Sequence, residues 1–191
     1  MNISTIEKIS KWVKTQVSQK RFQHICGVVK TAAVLAHKFS GDKNAISTAA
    51  WLHDCTKEWP KAKMLDVIDQ SKFKLDPLEK KIPALWHAHA SAAIAIKKWG
   101  ITQSDILGAI LSHTMGNSNM SLTAKIIFIA DFIEPSRDFP GVENIRKISK
   151  VDLESAVKSK IMMTISYLLK EKGLIHPRLI LTWNSLIRGS K

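Results

Sequence analysis

Four polar residues stand where a helical protein would normally keep its interior dry. His24 opens an amphipathic stretch. His53 and Asp54 are adjacent after the apolar run Ala49-Ala50-Trp51-Leu52, and Asp131 interrupts the run from Ile126 to Ile133. A lone histidine in such a place is more often hydrogen-bonded than ligating. A carboxylate in an apolar helix is rarer, because burying it unpaired is costly, and a metal ion is a common way to neutralise it. Two imidazoles and two carboxylates form a mixed nitrogen and oxygen donor set whose negative charges balance a divalent ion. On an octahedral metal such a set leaves about two positions open for water and a phosphate oxygen, which suits iron, manganese or cobalt more than a closed structural zinc. The reaction class indicated is metal-assisted hydrolysis of a phosphoester or phosphoanhydride. His87 and His113 lie in the chain between the His-Asp pair and Asp131. They either bind a second metal or face substrate phosphates. Lys57 follows Asp54 by three residues, would share its face on a continuing helix, and reads as a phosphate clamp.

The elements that must position these residues are helical. Phe22, Ile25, Val29, Ala32, Leu35, Ala36 and Phe39 recur at steps of three and four and form one apolar face. Gly41-Asp42 ends that helix, and Asn44 is placed to cap the next, from Ala45 to about Asp54. Trp59-Pro60 breaks the chain before a short helix near Lys61–Ile68, and Asp76-Pro77 opens another piece with Asp76 as cap. Ala88–Lys98 carries a small-residue face and ends at Gly100. Gln103–His113 is a further helix, and Thr114 to Asn119 a loop. Leu122 to Ile133 is stopped by Pro135, Asp152–Lys172 is expected to be the longest helix with Gly173 as its cap, and Pro177 begins the last. No alternating strand or hairpin turn stands out. The expectation is an all-α helical bundle forming one domain over residues 1–191.

Composition narrows the function classes. With 191 residues, 45% of them hydrophobic and 24% charged, the chain is of ordinary globular composition. No apolar run is long enough to span a bilayer, and the start of the chain lacks a signal-peptide pattern, so a cytoplasmic protein without membrane contact is expected. Cys26 and Cys55 form no C-x-x-C pair, which excludes a disulfide framework or zinc ribbon. The net charge of +13 is spread over lysine pairs such as Lys97-Lys98, with no run of five. Such pairs read first as solvated helix faces. They would also draw in an anionic substrate, while nucleic acid is an unlikely partner because no recognised motif accompanies them.

The motifs also carry a family resemblance. His24, His53-Asp54 and Asp131 match the H…HD…D signature of HD-domain metal-dependent phosphohydrolases. Arg21-Phe22-Gln23-His24, Leu52-His53-Asp54-Cys55-Thr56-Lys57-Glu58, the His113-Thr114-Met115-Gly116 element and the segment from Lys125 to Arg137 narrow the match. Over about residues 19–188 the chain resembles the YqeK family of bacterial bis(5′-nucleosyl)-tetraphosphatases (symmetrical).

That resemblance implies an all-α HD domain that cuts diadenosine tetraphosphate at its central anhydride to give two ADP. It implies iron, or manganese, cobalt or magnesium in its place, as one or two divalent ions. Carried over by position, it puts His24, His53, Asp54 and Asp131 on the metal. His24, Lys57, His87, His113 and Arg137 would contact substrate, and Glu134 would support the metal ligands from behind. Asp54, His87, His113 and Lys57 would carry the catalysis, Asp54 at the attacking water and the others against polyphosphate charge. His89 departs from the family pattern, where proline or a small residue is frequent, and reads as a surface or helix-start histidine. His37 and His176 read as structural, and Cys26 and Cys55 as small buried residues. Two other outcomes stay open: another HD-type reaction, on nucleotides or alarmones, and a basic RNA- or ribosome-associated module. A homodimer through the terminal helices is a further expectation.

Overall fold

A computed structural model describes residues 3–188, and among them ten α-helices and no strand. In chain order they are α1 (Ile3–Gln16), α2 (Gln19–Lys38), α3 (Lys43–Leu52), α4 (Lys61–Asp69), α5 (Trp86–Trp99), α6 (Ser104–Ser112), α7 (Leu122–Ile133), α8 (Val142–Ser149), α9 (Leu153–Lys170) and α10 (Pro177–Arg188). Two short 3-10 turns, Glu79–Lys81 and Pro83–Leu85, precede α5. The all-α expectation therefore holds. No helix among these residues is long and apolar enough to cross a membrane.

Helix α7 is the centre of the molecule. It packs against α2, α3, α6, α8 and α9, and Ile126 through Ala130 are all without exposure. A helix apolar on every side is stable only when surrounded. Truncating Phe128 at its centre would cost about 3–5 kcal/mol. Close approach between neighbouring helices is allowed by small residues: Ala45, Ala49 and Ala50 on α3, and Ala90, Ala92, Ala93 and Ala95 on α5, are all buried.

The helix ends follow cap chemistry, with some departures from the sequence reading. Ser18 accepts from Arg21 N, Ser121 from Ala124 N and Asp152 from Ser155 N. For α3 the cap is Asp42, which accepts from Asn44 N at 2.8 Å and Ala45 N at 3.0 Å, rather than Asn44. Gly41 N bonds back to Ala36 O, so the turn leaves Asp42 extended, two residues before the expected cap. Helix α3 also stops at Leu52. Residues 53–59 continue as tight turns in which Cys55, Lys57 and Trp59 donate to carbonyls three residues back. Asp76 does cap, accepting from Leu78 N and Glu79 N, but only a 3-10 turn follows. The longest helix is α2, at 20 residues against 18 for α9. At the end of α9, Lys172 rather than Gly173 takes the left-handed conformation, with φ of 51°. Gly173 N bonds to Leu168 O and Lys172 N to Leu169 O, the pair expected of a Schellman motif one residue earlier than predicted.

Candidate metal centre

Four helices and the turn after α3 deliver their polar residues to one point. Arg21 and His24 come from the first turns of α2, one helical step apart. His53 and Asp54 follow the last turn of α3, and His87 comes from the start of α5. His113 comes from the end of α6, and Asp131 from the penultimate residues of α7. His53 and His87 are at most 1% exposed, His113 is 2% exposed and Asp54 3%. Helix ends are natural places for this convergence, because there a side chain leaves the packed cylinder without breaking it.

Asp54 is the hinge of the cluster. Its Oδ2 lies 3.7 Å from His24 Nε2 and 3.8 Å from His53 Nε2. On its other side, Oδ1 lies 3.2 Å from His87 Nε2 and 3.5 Å from His113 Nε2. Asp131 Oδ1 closes the first side, 3.1 Å from His24 Nε2 and 3.9 Å from His53 Nε2. Two donor trios result: His24, His53 and Asp131, and Asp54, His87 and His113. Within each, the ligand atoms lie within 4.8 Å of one another.

The outer hydrogen bonds fix which nitrogen faces inward. His53 Nδ1 donates to Ala50 O at 2.7 Å, and His113 Nδ1 to Ile110 O at 2.6 Å. His24 Nδ1 donates to Glu134 Oε1 at 3.0 Å. Each of these rings therefore turns an Nε2 lone pair toward the centre, the usual arrangement behind a metal-ligating histidine. His87 is the exception. The Lys57 ammonium lies 3.2 Å from its Nδ1 and 3.4 Å from its Nε2, and Nε2 faces two acceptors, Asp54 Oδ1 at 3.2 Å and His113 Nε2 at 3.0 Å, which places the ring proton there.

Charge follows geometry. Burial alone would raise the Asp54 carboxyl, but the imidazoles of His53, His113 and His87 around it hold it well below the usual carboxylate range. Asp131 is likewise held well down against burial, by its contact with His24 and the Lys160 charge. Burial pushes His53 and His87 to about 4, against the pull of Asp54, so both are neutral at pH 7. For His24 burial acts downward, and contact with Asp131 outweighs it and raises the ring. Two fixed carboxylates beside the neutral rings of His53 and His87 are a donor set that seeks a cation.

A divalent ion suits the first trio on an observation internal to the molecule. His24 Nε2 and His53 Nε2 are buried and make no hydrogen bond of acceptable geometry, although such groups are nearly always satisfied. A third trio, Asp76, Glu79 and His176, differs. There Glu79 accepts from His89 Nε2 at 3.0 Å and from Asp76 N, and pairs with Arg178 Nη2 3.0 Å away, while His176 Nε2 sits 2.8 Å from Asp76 Oδ2. Protein cations already neutralise that acid, so it is a structural ion-pair cluster. It also corrects the reading of His89, which is buried rather than a surface histidine.

Other expected residues fall around the centre. Lys57 remains near Asp54 because the turn of 53–57 keeps three-residue spacing, and its ammonium also donates to Ala84 O. Arg137 lies at the rim, with Nη2 2.9 Å from Asp131 Oδ1 and Nε 3.0 Å from Asp131 O. Glu134, 1% exposed, stands behind His24 and is also held by Ser136. His37 is exposed, Cys55 is buried with its thiol pushed up to about 12 by burial, and Cys26 is only half-buried.

Two residues escaped the sequence reading. Arg21 Nη1 lies 2.9 Å from Asp54 Oδ2, and its place one step before His24 on α2 was the available signal. Lys160, grouped with solvated lysines by composition, is 3% exposed. Its ammonium donates to Phe128 O at 2.6 Å and His113 O at 3.2 Å, and lies 3.8 Å from Asp131 Oδ2. It falls on the buried stripe of Ala156, Val157 and Ile161, so helical periodicity pointed to it.

Comparison with known proteins gives a consistent picture. Residues 21–136 match the HD domain family. The chain is 39% identical over 178 residues to a symmetrical bis(5′-nucleosyl)-tetraphosphatase of Bacillus subtilis, covering 93% of this chain and 95% of that one. It is 33% identical over 177 residues to the protein so described in Staphylococcus aureus, covering 92% and 91%. Its structure superposes with a TM-score of 0.92 on a Clostridium acetobutylicum protein described as an HD superfamily hydrolase involved in NAD metabolism. Those two are 35% identical, with 96% and 97% of the chains covered.

Proposed function

Because the chain belongs to the HD domain family, and within it to the symmetrical bis(5′-nucleosyl)-tetraphosphatases, we propose that it hydrolyses diadenosine tetraphosphate at the central anhydride to two ADP. The observation that carries this reading is the pair of donor trios hinged on Asp54, with two buried imidazole nitrogens left without hydrogen bonds. His24, His53, Asp54 and Asp131 would hold a divalent ion, iron being the first choice and manganese, cobalt or magnesium the others. Bound there, the ion supplies a Lewis acid for a phosphoryl oxygen and a lowered pKa for water.

The protein's own groups supply the rest. The net charge of +13 favours approach of a polyanion. The side chains of Arg21 and Arg137 are 26% and 37% exposed, and their guanidinium groups would contact the polyphosphate. Asp54 Oδ1 and His113 Nε2 hold the His87 proton on Nε2. That N–H would neutralise charge on the departing ADP oxygen, with His113 beside it. This tautomer favours one ion, in the His24 trio, with His87 and His113 turned to phosphate. Asp54 is too acidic to keep a proton at neutral pH, so its task is to orient the attacking water and fix both trios.

Replacing Asp54 with alanine tests the reading. Turnover of diadenosine tetraphosphate should fall to background in a variant with the native circular dichroism spectrum. A folded Asp54→Ala protein with wild-type activity would overturn the assignment.

A further inference from the structure

Beside the metal centre lies an apolar cleft of about 460 Å³, lined by Phe132, Phe139, Pro140, Met163, Thr164 and Tyr167. We propose that this cleft seats one purine base of the dinucleoside polyphosphate; the inference rests on the function proposed above. Three links tie the cleft to the centre. Phe132 follows Asp131 in α7. Arg137, bonded to Asp131, is two residues before Phe139. Lys160 lies 3.8 Å from Asp131 Oδ2 and 5.2 Å from the Phe132 ring centroid, one turn before Met163 and Thr164 on α9.

The walls suit a flat aromatic ligand. Phe132 and Phe139 are in contact, with centroids 4.8 Å apart and planes tilted by 52°. Met163 and Tyr167 face the same space from one side of α9, at the spacing that puts helical neighbours on one face. Tyr167 is 63% exposed and offers an open aromatic surface. Thr164 directs its hydroxyl to Lys160 O at 2.8 Å. Recognition would therefore come from stacking rather than from a pattern of hydrogen bonds to base edges, a mode that tolerates different bases. The size is that of a small-molecule site, with a few polar groups at one end only. The other base would lie beyond the opposite end of the polyphosphate.

The test compares two ligands on the metal-loaded protein: ADP, and inorganic pyrophosphate, which lacks a base. Tyr167→Ala and Phe139→Ala should weaken ADP binding by about tenfold or more and leave pyrophosphate within about twofold. Tyr167 is the single tyrosine of the chain, so tyrosine-labelled protein gives one ring signal. That signal should shift with saturating ADP, show contacts to the base protons, and stay still with pyrophosphate. A silent Tyr167 ring in native protein, or equal loss of both ligands in folded variants, would overturn the proposal even if diadenosine tetraphosphate is cut. Absence of hydrolysis together with a base-dependent Tyr167 signal would instead overturn the reaction and leave the cleft assignment standing.

Discussion

Replacing Gly27 with alanine should loosen the metal centre without unfolding the helix that carries it. Gly27 sits three residues after His24 on α2, and a methyl group there would stand 2.4 Å from Glu134 Oε2 and 3.2 Å from its Cδ. Ordinary contact begins at 3.4 Å, so the carboxylate must withdraw by about 1 Å, a displacement large enough to matter in a preorganised site. Glu134 is buried and held by His24 and Ser136, so its withdrawal breaks charge-assisted bonds, each contributing about 1.5–3 kcal/mol. Alanine in place of glycine within a helix returns about 1 kcal/mol. Losing both bonds would outweigh that gain by about 2–5 kcal/mol, and His24 loses the partner that fixes its tautomer. Losing such a partner typically costs about 10–100-fold in metal affinity or activity. Calorimetric titration of chelator-stripped protein with metal reads the affinity directly. In a Glu134→Ala background the methyl has room, so adding Gly27→Ala should change affinity by no more than about twofold. Wild-type metal affinity in folded Gly27→Ala protein would refute the reasoning.

Two further outcomes concern groups around the centre. Lys160→Met strips a buried ammonium from two carbonyls and from Asp131. It should cost about 3 kcal/mol and lower Tm by about 6–12 °C; an unchanged thermal melt would contradict that role. Glu79 is held below the ordinary glutamate value of 4.5, the raising effect of burial being outweighed by bonds from His89 and Asp76 N and by Arg178. Folding thus favours its ionised form, and the stability it contributes is present above about 4.5 and lost as pH falls through the lower folded value. The stability gap between wild type and Glu79→Gln should be widest near neutral pH and shrink below about 4.5; a gap that grows on acidification would sink the argument.

Much of the site was legible because its residues contradict their local surroundings. Asp131 in an all-apolar helix, and a His-Asp pair after Ala49-Ala50-Trp51-Leu52, are costly unless something neutralises them, and the fold brings both to one point. Helix positions were legible from apolar periodicity, and their ends less so. Asp42 and Asn44 are both good caps, and the choice depended on where the Gly41 turn closes onto Ala36. Lys172 takes a conformation usually left to glycine because it completes the α9 cap from the position before Gly173. His89 was misread because its partner, Glu79, lies ten residues away across a turn and is itself neutralised by Arg178 of α10. Lys160 was hidden by composition, which counts a lysine as surface charge, although its stripe on α9 is apolar. The tautomer of His87 depends on Asp54 and His113 meeting its Nε2, contacts that spacing along the chain does not encode.

The central claim is that the Asp54-hinged cluster holds a divalent ion and uses it to split a symmetrical polyphosphate. The most direct measurement is metal content and product analysis on one anaerobically purified sample given diadenosine tetraphosphate, with and without chelator. The account predicts about one ion per chain, ADP as the sole nucleotide product, loss of turnover on chelation and its return with added metal. AMP with ATP as products, or full turnover by metal-stripped protein, would contradict it.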